Sequence, residues 1–453
     1  MPLIQTLEPT HNLQQVQQSS PEDFPFLLQS SATGPHARYD ILFAYPQQSL
    51  IKHANGLLQT PDGLAVDESE FLKALDSWFD TEQQSAAESE ATKTDLPFSG
   101  GWFVYLGYEL AQEIEPSLPE VKGERHLPIA MAVRIPAAIV YDHELNKYTA
   151  FSESQQDLDR LITQWQQTPL SESSAQRFQS QNISEGTETE YLNQVEKIKH
   201  YIKEGDVFQV NLSRPWIARF DQPVSSTALY QQLMQANPAP FAGNMLLPDI
   251  AVLSSSPERL VKVKNSRVET RPIAGTRPRD REDAQSDLAK KQQLVEHPKE
   301  RAEHVMLIDL ERNDLGRICK PGSVKVDELM AVESYAHVHH IVSNVIGELE
   351  AGVTPGDVIR AVFPGGTITG CPKVRCMEIL TELEQTPREA YTGSMGYLNL
   401  DGSLDLNILI RTMMLTKDQA SFRAGGGIVY DSHPDKELME TRAKARGLLR
   451  AVT

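Results

Sequence analysis

Four glutamates fall into two pairs at helical spacing. Glu300 and Glu303 lie in Lys299-Glu-Arg-Ala-Glu-His304, and Glu437 and Glu440 in Lys436-Glu-Leu-Met-Glu-Thr441. An i,i+3 separation puts both members of a pair on one helix face, and Lys444 lies four residues beyond Glu440 on the same face. Two such pairs could converge on a hard cation such as Mg²⁺, which takes a couple of carboxylates and fills its shell with water and substrate oxygens. Taken singly, either pair reads as a solvated helix face. Glu258, in Ser256-Pro-Glu-Arg259 after the apolar Ala251-Val-Leu253, could be a general acid whose pKa burial raises; a surface turn is the plainer reading. The backbone amides of Gly425, Gly426 and Gly427 could hold a carboxylate, or the glycines could be a tight turn. They are not a phosphate loop, because no Lys-Ser/Thr follows. Arg411 sits among apolar residues, where a buried cation needs an anion, either a structural carboxylate or a ligand. His339 and His340 read as satisfied core positions, since no spaced Cys/His set supports zinc. Cys371 and Cys376 read as small buried hydrophobes.

The elements that would position these groups follow from pattern. Helices are expected at 188–204, ended by Gly205, and at 287–295, 299–310, 355–362, 373–383 and 434–449, the last opening at Pro434 after the possible caps Asp431 and Ser432. Residues 207–213 alternate, with Phe208, Val210 and Leu212 on one face and Gln209, Asn211 and Ser213 on the other. Further strands are expected at 250–255, 260–263, 341–349, 393–400 and 404–415. In the N-terminal part they fall at 39–44, 100–108 and 131–141, with a helix near 68–79. Polar residues 81–94 read as a surface loop, and the Ser/Gln/Glu-rich stretch 168–190 as a linker. This divides the chain into 1–170, a linker 171–187 and a chemically richer 188–453. Strands mixed with helices in no strict βαβ order suit an α/β fold of α+β-like kind.

The 453 residues are 40% hydrophobic and 23% charged, enough apolar content for a large core and against a disordered chain. With 62 acidic and 43 basic residues the net charge is −19, which argues against a nucleic-acid partner. An anionic substrate would need a local basic site or a metal. The start, Met1-Pro-Leu-Ile-Gln5, lacks the pattern of a signal peptide. The longest apolar stretch is interrupted by Arg134 and Pro136, so no membrane span is expected. Three cysteines give no disulfide framework, so the expected location is cytoplasmic.

Six motifs occur in one order: Ser256-Pro-Glu-Arg259, Arg271-Pro-Ile-Ala-Gly-Thr-Arg-Pro-Arg279, Glu300-Arg-Ala-Glu-His304, Asp309-Leu-Glu-Arg-Asn-Asp-Leu-Gly316, the run from Gly365 to Lys373, and Ala424-Gly-Gly-Gly-Ile-Val429. Together they resemble the chorismate-utilising enzymes, the family of anthranilate, aminodeoxychorismate, isochorismate and salicylate synthases. The likeness runs from about residue 188 to the end and is looser at Leu27-Leu-Gln-Ser30 and Arg38-Tyr-Asp-Ile-Leu42. It implies the anthranilate synthase component I type of fold, two stacked β-sheets forming a sandwich with helices outside, the N-terminal strands joining the same body. It also implies that chorismate loses its C4 hydroxyl as a nucleophile enters at C2. Glu303 and Glu440 would hold Mg²⁺, supported by Glu300 and Glu437. Arg411, Tyr391, Lys444, Gly275, Thr369 and the amides of Gly425 to Gly427 would hold substrate. Glu258 would protonate the departing hydroxyl, with His340, Ala274 and Thr276 beside it.

Gln209 bears on the nucleophile. Water-adding members carry a lysine base at the matching place, and a glutamine cannot take a proton, so the resemblance implies ammonia. None of Cys319, Cys371 and Cys376 lies in the glycine-rich elbow of a glutaminase, so ammonia would come from a separate glutamine amidotransferase subunit. Arg38-Tyr-Asp-Ile-Leu42 and Gly366-Thr-Ile-Thr-Gly370 favour the aminodeoxychorismate branch, whose product passes to a separate lyase on the way to para-aminobenzoate and folate. The alternative is the anthranilate branch, to which Asn237-Pro-Ala-Pro-Phe241 is similar at its tryptophan site; with Ser30 these residues (Asn237, Pro238, Phe241) form a possible tryptophan site here. Ala274 replaces a lysine that many aminodeoxychorismate synthases carry and that is thought to attack C2. The remaining alternative is a catalytically inactive assembly partner.

Overall fold

Pro136 lies in the longest apolar run and has no N–H for a strand ladder. Residues 131–141, expected as one strand, therefore form two, Ala130–Ile135 and Ala137–Asp142, and between them the chain leaves one sheet and enters another. The run 404–415 behaves likewise. It divides into Leu404–Asn407 and Thr412–Thr416 in different sheets, with Arg411 at the break in the left-handed region, φ 54°. A third crossing passes through Pro257 and Glu258, between Ala251–Ser256 and Arg259–Lys264.

The computed structural model describes residues 3–32, 37–64, 69–87, 94–121, 125–169, 177–280, 283–335 and 338–453. Among them, the strands form one sheet of twelve and one of eleven, and every pairing between named strands is antiparallel. The sheets stack face to face. Phe26 of the first lies parallel to Phe103 of the second with ring centroids 4.1 Å apart, within a layer that includes Phe43, Met131, Val252, Met395 and Leu409. Helices Gln155–Gln167, Ser226–Ala236 and Pro434–Val452 cover the outer face of the first sheet through Trp165, Leu229, Leu233 and Leu448. Phe71–Ala87, Pro298–Gly316 and Pro355–Val362 cover the second through Phe71, Trp78, Ile308 and Val358. The expected sandwich with helices outside is the fold observed.

The N-terminal strands are woven into both sheets. Phe26–Gln29 pairs with Phe241–Leu246, and Gly101–Leu106 with Ser394–Asn399. Part of the expected linker is strand: Asn182–Glu185 extends the first sheet beside Gln209–Arg219, while 170–176 lie outside the described residues. The expected loop 81–94 is helical to Ala87, because its Gln, Ala and Glu are good helix formers; residues 88–93 lie outside the described set. Glu188–Glu204 ends at Gly205 with φ 84°, as expected. His433 occupies the N-cap position of the last helix without a side-chain cap bond, and the Ser432 hydroxyl accepts the Val429 N–H instead. Phe208 precedes its strand and is 67% exposed, whereas Val210 and Leu212 are fully buried. No helix among the described residues is long and apolar enough to cross a membrane.

Candidate active site

Two sheet crossings lie side by side, and they bring the acid and the cation together. Ser255 donates its N–H to Arg411 O at 3.1 Å, and Ile408 donates to Glu258 O at 3.0 Å. Glu258 is therefore held in a buried crossing, 5% exposed, where no helix or strand of its own supplies donors. Among the described residues its Oε1 has no hydrogen-bond partner. Burial raises its pKa to about 7, against the opposing pull of the Thr367 hydroxyl, the Ile273 N–H and the Lys444 charge. The surface-turn reading of Ser256-Pro-Glu-Arg259 is set aside by that burial. A carboxyl in this setting can hold a proton near neutral pH and give it up.

Arg411 is part-buried and, among the described residues, pairs with no carboxylate; its Nη1 donates to Lys444 O at 2.9 Å. The anion it lacks is thus left to a ligand. Beside it the glycine run proves to be strand, not a turn. Gln419–Ile428 pairs along its whole length with Gln209–Arg219, but its other neighbour, Thr412–Thr416, reaches only as far as Phe422. Beyond Arg423 that second edge has no strand partner, so backbone N–H groups there are free to meet a carboxylate. Gly425 and Gly427 are needed because other atoms already fill the places of their Cβ atoms. A Cβ on Gly425 would collide with Leu212 O and meet the Tyr391 hydroxyl at 2.9 Å, and one on Gly427 would meet the Gln209 amide at 2.5 Å, whereas one on Gly426 would make ordinary contacts with Glu440, Glu437 and Lys444 at 3.4 to 3.6 Å. Behind Tyr391, Glu384 holds Arg388 at 2.7 Å and Arg423 at 3.1 Å in a buried network, and the Arg388 guanidinium lies 5.5 Å from the Tyr391 ring centre.

The short strand Ile273–Pro278 links acid and metal-type residues. Ile273 directs its N–H toward Glu258. Gly275 has φ 50° at a bulge in the pairing with Val338–Glu348, and the Glu300 carboxylate lies where its Cβ would be. Thr276 and His340 face each other, Oγ1 to Nδ1 2.8 Å. Burial, with Arg411 nearby, lowers the His340 pKa to about 4, so the ring is neutral at pH 7. His339 is a satisfied core position, bonded to Asp287 and Ser334. Glu300 pairs with Arg277 at 3.0 Å and Glu440 with Lys444 at 2.8 Å.

Residues 24–450 match the family described as chorismate binding enzyme. The chain belongs to that family. An anthranilate synthase component I-like protein of Synechocystis is 45% identical over 79% of this chain and 73% of its own. Aminodeoxychorismate synthase component 1 of Bacillus subtilis is 40% identical over 94% and 91%. The crystal structure of anthranilate synthase component I from Streptococcus pneumoniae superposes with a TM-score of 0.79 at 31% identity, covering 92% of this chain and 93% of that one. The chain is therefore a chorismate-utilising enzyme.

Within this chorismate-binding fold the expected residues divide. Glu258, Arg411, Tyr391, Lys444, Gly425 to Gly427, Gln209, Glu437 and Glu440 form one neighbourhood, and Gly275, Thr276, His340 and Glu300 adjoin it through the 273–278 strand. Ala274 is buried in that strand opposite Ile341 and offers no nucleophile. The Thr369 hydroxyl is spent on the Gly365 carbonyl at 2.9 Å, closing its own turn; Thr367, two residues earlier, is the threonine that faces Glu258. Sequence could not tell these apart, because both sit in Gly-Thr-Ile-Thr-Gly and only the turn decides which points inward. Ser30 and Phe241 line a cavity of about 360 Å³ together with Arg259, Tyr397 and Asn407. Asn237, from the same expected tryptophan site, instead bonds Ser255 at 2.6 Å, and neither it nor Pro238 lines that cavity.

The oxygen-only donor set of Glu300, Glu303, Glu437 and Glu440 has the chemistry Mg²⁺ prefers. Among the described residues no three or more His, Cys, Asp or Glu form a ready metal cage.

Proposed function

We propose that this enzyme replaces the C4 hydroxyl of chorismate with ammonia-derived nitrogen, giving 4-amino-4-deoxychorismate for para-aminobenzoate synthesis. Ammonia would come from a separate glutamine amidotransferase subunit, and the product would pass to a separate lyase. The observation that carries the reading is Glu258, a buried carboxyl whose raised pKa and unpartnered oxygen suit a general acid for a departing hydroxyl. Arg411, Lys444 and the open edge at Gly425 to Gly427 hold a substrate carboxylate. Tyr391, fixed by Arg388, shapes the same wall. Mg²⁺, held by Glu303 and Glu440 with Glu300 and Glu437 in support, would neutralise a second carboxylate and orient the ring. Gln209, 7% exposed, offers an amide where a base would be needed to activate water.

Bond order constrains the branch. Nitrogen that enters at C2 and stays there yields a 2-amino compound, the precursor type of anthranilate, so the C2 entry implied by the resemblance does not by itself give the 4-amino product. The nitrogen must finish on C4, and Ala274 cannot supply a covalent handle at C2 for a two-step displacement. Attack by ammonia at C4 is the route this chain's residues leave. The second reading, anthranilate synthase component I, gains from that same alanine and from the cavity at Ser30 and Phe241. Incubating the purified chain with chorismate, Mg²⁺ and ammonium separates them. A product that becomes 4-aminobenzoate only on adding a lyase supports the first; fluorescent anthranilate released with pyruvate supports the second.

A further inference from the structure

The strand that carries Gln209 carries a second amide two residues on, and both hold a buried oxygen that receives nothing. Among the described residues, Asn211 Oδ1 and Gln209 Oε1 accept no hydrogen bond. A buried carbonyl oxygen without a donor is uncommon in a folded chain and points to a group that binds there. The Asn211 amide is not free to turn over. Its Nδ2 donates to Thr367 O at 3.1 Å, so the atom left without a partner is the oxygen. The backbone is pinned as well. Asn211 donates its N–H to Thr369 O at 2.9 Å, and its carbonyl accepts from Arg388 Nη2 at 2.8 Å, with Arg388 held by Glu384 at 2.7 Å.

The two oxygens share one place. Residues two apart on a strand point to the same face, and Asn211 lies directly opposite Gly427 in the pairing of Gln209–Arg219 with Gln419–Ile428. The Gln209 amide lies 2.5 Å from where a Gly427 Cβ would stand, so it leans over the position that faces Asn211. The turn at 365–369, to which Asn211 is tied, also packs on the crossing of Glu258. A Cβ on Gly365 would stand 3.1 Å from Ile408 Cδ1, and the Ile408 N–H donates to Glu258 O. One turn thus anchors the amide pair and the acid.

Two amide oxygens take N–H or O–H donors and turn away carboxylates, so the acidic groups of chorismate do not suit this place. Ammonia does: two of its N–H groups meet the two oxygens, and its lone pair is left facing off the strand. Water held there would find no base, because an amide does not take its proton. Resting on the reading of ammonia as the nucleophile, we infer that Asn211, with Gln209, forms the seat that binds and aims it. In the step, the nitrogen lone pair forms the C–N bond, and the C4–O pair leaves with the Glu258 proton as water. The new ammonium centre then gives one proton to the Glu258 carboxylate, so atoms and charge balance.

The test uses the purified chain with chorismate, Mg²⁺ and ammonium as nitrogen source at fixed pH. N211A removes the acceptor, and the KM for ammonium is expected to rise about 5- to 10-fold, the size of one hydrogen bond, with the KM for chorismate unchanged. N211D keeps the shape and an acceptor oxygen, and its ammonium KM should stay within about twofold of wild type. Because both oxygens grip one molecule, the double variant Q209A/N211A should lose less than the two single losses combined. Three results would overturn the inference alone, with wild-type turnover on ammonium intact: N211A with an unchanged ammonium KM, N211A with both KM values raised together as a displaced wall would raise them, or N211D as impaired as N211A. A wild-type chain inert towards chorismate and ammonium would overturn the proposed reaction, and the inference with it.

Discussion

Glu258 and Glu440 are the same residue type in one site, yet the fold gives them opposite surroundings. Glu258 sits where the chain crosses between sheets, nearly without solvent and with no cation at contact distance, and burial carries its pKa to about 7. Glu440 sits on the last helix with half its side chain exposed, and Lys444 stands 2.8 Å away. The crossing takes water away from Glu258 and so favours its protonated form, while the helix leaves Glu440 in solvent beside a cation.

The contrast predicts a ranking of effects. E258Q removes the proton but keeps the volume, so kcat is expected to fall by about 10²–10⁴ with KM for chorismate little changed. A fall in KM of similar size, with kcat intact, would break the assignment of the acid. R411Q leaves a ligand carboxylate without its cation, and KM should rise roughly 10- to 100-fold, the size of one lost charge-assisted hydrogen bond. E440Q should shift the Mg²⁺ dependence to about tenfold higher concentration and leave saturated kcat nearly intact; an unchanged titration would exclude Glu440 as a ligand. Rate should also follow the state of Glu258. Its acid form prevails below about 7, so kcat/KM should decline above that pH in wild type, and its ionisation opposes the fold. Because the folded pKa lies above the ordinary 4.5, this group's contribution to stability is complete below 4.5 and is lost as pH rises through 7; in E258Q, melting temperature should vary less across that window. Smallest of all is G426A, whose added methyl meets Glu440 and Lys444 at 3.4 to 3.6 Å, ordinary contact distances. A change of about twofold in KM is expected there, whereas G427A, 2.5 Å from Gln209, should cost more.

The helices were legible because their signals are local. Pro355–Val362 begins and ends where its proline and apolar spacing put it, and Glu188–Glu204 stops at its glycine. The strands misled wherever apolar character continued through a change of sheet. Nothing in 131–141 or 404–415 marks that change except Pro136 and the left-handed turn at Arg411, and a positive φ at arginine has no sequence signature. The site was legible as residue types and only partly as places. Glycines that look like a turn are a strand, since what demands them is side chains from elsewhere in the chain.

The helix that carries Glu437, Glu440 and Lys444 occupies residues 434–452, and the crossings that carry Glu258 and Arg411 are pinned between strands drawn from both ends of the chain. Glu437, Glu440 and Lys444 therefore join the site only once this helix has packed against the glycine strand. A chain cut before residue 434 would keep Glu258, Arg411 and the glycine strand but lose Glu437, Glu440 and Lys444, so catalytic acid and carboxylate-rich wall are separable by a single truncation.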